Sequence, residues 1–298
     1  MNNAFKSTIT YRAKSILIYS VTAFCLIWFK HASADDQALV LADYLFDSEN
    51  YYEAVTEYQR YIFFNPDDEY LGDVHRRIGL AYRNMGQWQS AKDAIRKSIY
   101  TAADDSIRDE RKIDLAVVLI SSGNYSAAEM ELLRLSYFSS YPSLKQRASF
   151  FLAVSCIYAY KWEEARVAFR DYTGNPRGLS PANANADSSF KAAVNLKLKS
   201  PGLAKTLSTF LPGSGQIYAG GFFNGLNALL LNSAMGYFVI DGLANKEYGD
   251  ALVRYFLTFF RYYRGNRENA YNLALDYNEK LNRQQAGRIL QELKKSID

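Results

Sequence analysis

Beyond its first 34 residues this 298-residue chain holds one histidine, His75, and one cysteine, Cys156. A structural zinc ion takes four nitrogen or sulfur donors, so one imidazole and one thiolate far apart in sequence do not build a site for it. A single thiol forms no internal disulfide either. A serine-hydrolase relay would have to run through His75, but no nucleophile-elbow motif accompanies it. The adjacent carboxylates Asp67-Asp68 and Glu163-Glu164 fall at turns and helix starts, where negative charge favours the helix dipole. They read as solvated caps rather than as an acid–base pair. The glycines of Leu211-Pro212-Gly213-Ser214-Gly215-Gln216-Ile217-Tyr218-Ala219-Gly220-Gly221 could cradle a phosphate. A dinucleotide loop, however, puts a third glycine where Tyr218 stands and follows a strand, whereas Leu203 to Leu211 is helical in pattern. A Gly-Lys-Ser/Thr sequence is absent as well. The glycines therefore read as a helix break and a close helix contact. Together these residues predict a non-enzymatic protein with no cofactor and no metal site.

What recurs instead is a ladder. Ala54, Ala91, Ala128 and Ala165 stand 37 residues apart. Three residues ahead of each is an aromatic (Tyr51, Trp88, Tyr125, Trp162), and four residues after it is a large side chain (Tyr58, Ile95, Leu132, Phe169). Twelve residues ahead stands a further small residue: Ala42, Gly79, Ala116 or Ala153. Register kept at four positions over four cycles is an internal repeat. The small residues let two helices approach, and the large ones fill the groove beside them. Polar breaks at Asp47–Asn50, Asn84–Gly86 and Ser121–Asn124 separate apolar-periodic runs, with no period-two pattern between them. The expected fold is all-α, a helical solenoid of four two-helix repeats over residues 35–172. Such units bury their faces only by stacking on neighbours.

The ladder resembles the tetratricopeptide repeat, a helix–turn–helix unit, across residues 36–172. The pairs Ala42/Ala54, Gly79/Ala91, Ala116/Ala128 and Ala153/Ala165 match the family's small residue in each helix. Tyr82 matches its first-helix aromatic, where Leu45, Leu119 and Cys156 stand in the other units, and Pro66 matches its closing proline. The period exceeds the family's usual length of about 34 residues, which puts extra residues in the turns at Asp67-Asp68, Asp104-Asp105 and Tyr141-Pro142. The resemblance implies a superhelix whose first helices line a concave groove. Carried over residue by residue, that lining begins polar, with Asp43, Asp47, Arg76, Arg83 and Asn84. It turns apolar with Ile113, Val117, Ile120, Phe150, Val154, Ile157 and Tyr158. The implied occupant is a protein partner, either a peptide or a helix. The apolar part could equally pack against the chain's own C-terminal region. The family's carboxylate clamp of Lys and Asn is not matched, and only Arg76, Arg83 and Asn84 are of a suitable type.

A linker is expected at 173–200, because Thr173 to Phe190 is rich in Gly, Pro, Asn and Ser. Residues 201–265 follow as a second module. Phe222 to Ile240 is a nearly apolar run of 19 residues, just long enough to span a bilayer and interrupted by Asn224, Asn227, Asn232 and Ser233. A second run, Ala251 to Tyr263, carries Arg254 and Arg261, seven residues apart and on one helical face. Asp241, Glu247 and Asp250 are acids near enough in sequence to pair with them. With Pro212, Gly213, Gly215, Tyr218 and Gly220, the module resembles bacterial envelope proteins that carry a Pro-Gly-x-Gly-x-x-Tyr-x-Gly motif before a two-helix membrane hairpin. That resemblance implies membrane association. Basic flanks (Lys191 to Lys205; Arg261, Arg264 and Arg267) around an acidic loop oppose the positive-inside rule for an exported chain. Three arrangements stay open: a spanning hairpin, a hairpin lying on the surface, and a small soluble helical domain. Residues 266–298 read as an amphipathic tail helix with Leu273, Leu281, Ile289, Leu290 and Leu293, expected to pack onto the array.

Residues 1–34 carry Lys6, Arg12, Lys14 and Lys30 and no acid, which accounts for the whole net charge of +4. From residue 191 onward, 14 basic and 8 acidic residues give +6, so 35–190 carry −6. No Lys/Arg cluster dominates the array, so a nucleic-acid partner is not expected. The first 34 residues read as a secretory signal: a basic stretch from Lys6 to Lys14, an apolar run from Ser15 to Phe29, and a small-x-small cleavage site at Ala32-Ser33-Ala34. The mature N-terminus is then Asp35, and the array is exported to the periplasm. The function expected from all this is an interaction scaffold of the bacterial cell envelope, with a protein segment in the repeat groove and the C-terminal module at a membrane. The alternative is a membrane-embedded factor whose hairpin is the working part and whose array is regulatory.

Overall fold

The computed structural model describes residues 37–174 and 184–295, and every regular element among them is helical. The signal segment expected at 1–34 and its cleavage site lie outside the described residues. The chain divides into two compact units, one ending at Ser155 and one beginning at Cys156.

The first unit contains α1 (37–47), α2 (Tyr51–Phe64), α3 (Leu71–Asn84), α4 (Trp88–Tyr100), α5 (Asp105–Ser121), α6 (Tyr125–Phe138) and most of α7 (Pro142–Tyr158). From α2 to α6 each helix packs on its neighbour in sequence: α2 on α3, α3 on α4, α4 on α5, α5 on α6. This nearest-neighbour pattern is that of an all-α solenoid. Its contacts run through the small residues of the ladder. Ala42, Ala54, Ala91, Ala116 and Ala128 are all 0% exposed, as are the large Tyr58, Ile95 and Leu132 beside them. At Gly79 an added Cβ would lie 2.5 Å from Ile95 Cδ1, so the isoleucine fills the space that the glycine leaves.

The same 37-residue spacing appears in the backbone. Residues 49, 86, 123 and 160 all have positive φ, at 62°, 73°, 76° and 59°. At each, the next amide closes a six-residue ring back into the preceding helix: Asn50 to Leu45, Gln87 to Tyr82, Asn124 to Leu119 and Lys161 to Cys156, at 2.8–2.9 Å. This is the Schellman ending of a helix, and glycine suits it because it lacks a Cβ. Gly86 and Gly123 obey that preference, whereas Glu49 and Tyr160 take the left-handed conformation with a side chain.

The second unit contains the end of α7, then α8 (Trp162–Thr173), α9 (Ala184–Val194), α10 (Pro201–Phe210), α11 (Ser214–Tyr218), α12 (Phe222–Ala244), α13 (Tyr248–Arg254), a π turn (Tyr255–Phe259) and α14 (Phe260–Lys295). Helix α9 lies within the stretch expected to be a linker. Its Ala186, Phe190 and Ala193 form one buried face at i, i+4 and i+7, and the Phe190 ring lies 5.8 Å from that of Phe169. Asp187 fixes the helix to α8 through Arg166 Nε at 2.8 Å and also pairs with Lys191 at 2.7 Å. The tail is not a separate element. Helix continues from Tyr248 through the π turn to Lys295, so the second arm of the hairpin and the tail are one rod. Ile289 and Leu293 of its far end are buried, and Gln285 Nε2 donates to the Ser189 carbonyl of α9 at 2.7 Å.

Opposite substitutions at equivalent backbone positions test this register. A Cβ at Gly123 would meet no atom within 4 Å, so only its φ opposes a side chain. Gly123→Ala should cost about 1 kcal/mol, and Glu49→Gly should relieve a strain of similar size. Thermal melts should therefore shift down for the first and up for the second; shifts of the same sign would contradict the shared turn.

Candidate functional site

The polar residues expected to line the array groove are engaged in ion pairs and hydrogen bonds, mostly with other residues of the array. Arg76 Nε on α3 donates to Asp114 Oδ2 on α5 at 2.5 Å, and its Nη2 lies 3.4 Å from Glu110 Oε1. Burial pulls the Arg76 guanidinium downward in pKa, but the bond and charge of Asp114 outweigh it and hold the group above its ordinary value. Arg77 reaches back to Asp43 of α1 at 3.4 Å, and Tyr58 also donates to Asp43 at 2.5 Å. Arg147 of α7 meets Glu110 at 3.6 Å. The first helices α1, α3, α5 and α7 are thus joined by one row of ion pairs. Such part-exposed pairs are worth about 0–1 kcal/mol each, so they set the register of the helices more than their stability. Arg83 donates to the side-chain oxygen of its neighbour Asn84 at 3.2 Å, at the end of α3.

Of the expected apolar lining in this unit, Val117, Ile120, Phe150 and Val154 are half-buried, while Ile113 is fully interior. In the second unit Ile157 is also interior, and Tyr158 is exposed. Ile113 and Ile157 are therefore core residues that no partner can reach without rearrangement. His75 is half-buried on α3; burial first, and the charge of Lys97 second, push its imidazole pKa down. Among the described residues no three His, Cys, Asp or Glu side chains gather as metal ligands would.

The glycine-rich stretch is a crossing point of three helices. Gly213 has φ 97°, and a Cβ there would lie 2.1 Å from the Gly225 carbonyl oxygen of α12. A Cβ on Gly215 would lie 1.9 Å from the Ala204 carbonyl oxygen of α10. Between them runs a buried hydrogen-bond chain. The Gly215 amide donates to Ser208 Oγ at 3.1 Å, Ser208 donates to Gln216 Oε1 at 2.9 Å, and Gln216 Nε2 donates to the Asn266 carbonyl of α14 at 2.9 Å and to its side-chain oxygen. Tyr218 accepts at its hydroxyl from the Ser200 amide at 3.1 Å and, at its carbonyl, from Lys199 Nζ. The Lys199 ammonium also sits over the rings of Tyr277, at 4.4 Å, and Tyr218, at 5.4 Å. At Gly220, φ 98°, the Gly221 amide returns to the Gln216 carbonyl at 2.8 Å and starts α12. Gly213, Gly215, Tyr218 and Gly220 thus position helices, and Pro212 stands in the turn that precedes α11.

The hairpin above this crossing carries its apolar side chains outward. On α12, Phe223, Leu230, Tyr237, Phe238 and Ile240 are exposed, and on the opposite arm Leu252, Val253, Phe256 and Leu257. Helix α12 is the one helix among the described residues long and apolar enough to cross a membrane, with a mean hydropathy of 1.3, and 11% of its most apolar stretch is buried. The turn between the arms repeats the Schellman ending: Lys246 has φ 61°, and the Glu247 amide returns to the Gly242 carbonyl at 2.8 Å. Arg254 pairs with Glu247 at 3.7 Å and donates to the Phe238 carbonyl at 3.3 Å. Arg261, expected on the same face as Arg254, is separated from it by the π turn, whose extra residue shifts the helical register by about 100°. It makes no ion pair among the described residues.

Between the arms, near the crossing, is a cleft of about 770 Å³. Asn224, Asn227 and Asn232 reach it from α12, and Arg261, Asn266 and Asn269 from α14. The α12 asparagines were visible in the sequence as interruptions of an apolar run. Asn266 and Asn269 were not, because they fall in a polar segment where amides carry no signal. Nor do the α12 amides bond across to the other arm as such groups do between membrane helices: Asn232 Nδ2 donates to the Ala228 carbonyl of its own helix at 2.7 Å.

No family model, curated protein or solved structure matches this chain. The site therefore rests on its own geometry. That geometry makes Gly215 the most demanding position of the module. Gly215→Ala should force α10 and α11 apart and cost about 1–3 kcal/mol or more. Gly265→Ala, where a Cβ meets nothing within 4 Å, should be neutral or stabilising. Equal melting temperatures for the two variants would contradict the crossing.

Proposed function

We propose that this chain is a non-enzymatic interaction scaffold of a bacterial cell envelope. In this reading the tetratricopeptide-like array is exported behind residues 1–34 and holds a peptide or helix of a protein partner. The hairpin of α12 and α13 associates with a membrane and keeps the array there. The supporting observation is the outward row of Phe, Leu, Ile and Tyr along both arms of the hairpin. Apolar surface gains roughly 25 cal/mol per Å² on leaving water, so a face of this extent calls for a sink, and a bilayer supplies one without further partners. The basic module, +6 from residue 191 onward, also suits an anionic membrane surface. On the array, Val117 and Ile120 of α5 are apolar, half-buried and next to the ion-pair row, as a helix-in-groove contact needs.

A second reading makes the hairpin the working part and the array regulatory. The polar cleft between the arms favours it, since a mere anchor has no use for amides turned inward. Alkaline carbonate extraction tests the membrane element common to both. The full chain should remain in the pellet. Its complete release into the supernatant would overturn membrane integration and leave the module as a soluble helical domain.

A further inference from the structure

The two arms of the hairpin lie side by side along their length. Arg254 Nη1 donates to the Phe238 carbonyl at 3.3 Å, and a Cβ on Gly242 or Gly236 would lie 3.2 Å from Ala251 or 3.6 Å from Phe259 of the opposite arm. Whatever depth one arm takes in a bilayer, the other must take as well. Helix α12 has the length for a crossing: its 23 residues make about 35 Å, against a hydrocarbon core of roughly 30 Å. The arm beside it lacks the composition. Between 248 and 267 it carries Asp250, Arg254, Arg261, Arg264 and Arg267, and its longest uncharged stretch, 255–260, is about 9 Å long. Arg261 meets no carboxylate among the described residues, so in hydrocarbon its charge would stand alone. Entry tip first fails at the other end, where Asn245, Lys246, Glu247 and Asp250 are exposed. The sides of α12, by contrast, differ from one another. Phe223, Leu230 and Tyr237 stand seven residues apart, so they share one face along the helix, and all three are exposed. Asn224 and Asn227, also exposed, turn to the cleft that Arg261 and Asn269 line from the other arm. The hairpin is thus polar at both ends and along the cleft, and apolar along one row.

We propose that the hairpin lies lengthwise in one leaflet of a bilayer and does not cross it. The row of Phe223, Leu230 and Tyr237 enters the acyl chains, while the cleft, the tip and the arginines of the base lie at the headgroups. The inference deepens the membrane reading and rests on it. It also removes an obstacle to that reading. Basic flanks around an acidic loop oppose the positive-inside rule only where a segment is translocated, and a hairpin confined to one leaflet translocates nothing.

The test uses the full chain with Cys25→Ser and Cys156→Ser, carrying a bimane fluorophore at one site: Phe223→Cys, Leu230→Cys, Tyr237→Cys or Asn224→Cys. Each is reconstituted into vesicles of equal parts phosphatidylcholine and phosphatidylglycerol. Quenching by lipids with a nitroxide at the headgroup, or at a shallow or deep point of the acyl chain, gives the depth of each label, whichever way the chain faces. The expected result is one common depth for 223, 230 and 237, with the label at 224 shallower than its neighbour at 223. A crossing hairpin would instead place 230 about 10 Å deeper than both 223 and 237, since seven residues rise that far. A hairpin entering tip first would deepen steadily from 223 to 237. Either profile would overturn the proposal and leave the membrane reading standing. Labels at all three sites that no acyl-chain nitroxide quenches would sink both. Circular dichroism checks the helicity of every labelled chain, and Leu226→Cys, on the same stripe of α12, replaces any site whose label reduces it.

Discussion

A left-handed residue closed by a six-residue hydrogen-bonded ring ends helix after helix in this chain. It occurs at 49, 86, 123 and 160 in the array and again at 220 and 246 around α12. Each such turn reverses the chain within three or four residues, and at 86 and 123 the helices on either side, α3 with α4 and α5 with α6, lie packed together. That proximity is then the constraint on everything else. Where two backbones are brought this close, a residue larger than alanine has no room, and the ladder of alanines follows from the turns. In the C-terminal module the approach is closer still, and only glycine is admitted at 213, 215 and 225.

The two units use the same turn and resolve it in opposite ways. In the array the apolar core gathers on Tyr58, Ile95 and Leu132, although Phe63, Tyr100 and Phe138 among others stay exposed, and charged side chains form a row across the first helices. In the hairpin the large apolar side chains go outward, and the carboxamides of Asn232 and Asn266 go inward. A water-soluble helix pair buries its apolar stripe, and the reversal of that pattern in the hairpin is what supports the proposed membrane association. The buried chain from Gly215 through Ser208 and Gln216 to Asn266 holds α10, α11 and α14 at the base of that hairpin.

The array was legible in the sequence because small residues at close contacts are scarce enough to be seen at a fixed period. The left-handed turns were legible only at Gly86 and Gly123; Glu49 and Tyr160 adopt the same φ with no residue signal, held there by the ring bonds on either side. Helix α9 was hidden because three buried residues, Ala186, Phe190 and Ala193, sit among Asn and Ser, a composition that reads as linker. Within the groove lining, Ile113 and Ile157 proved to be interior, since a resemblance assigns a residue to a helix but not to one side of it. The facing side chains of the cleft were half legible. A π turn has no sequence signature, and without it Arg261 stays on the face of Arg254.

The account stands or falls on the outer face of the hairpin meeting lipid. Spin labels introduced as Leu230→Cys, Phe256→Cys and Asn245→Cys in a background with Cys25→Ser and Cys156→Ser report on it directly, one per arm and one at the turn. In the full chain reconstituted into bilayers, labels at 230 and 256 should collide more with oxygen than with a water-soluble nickel chelate, and the label at 245 should show the reverse. Collision with the nickel chelate dominating at 230 and 256 would place both arms in water and contradict the account.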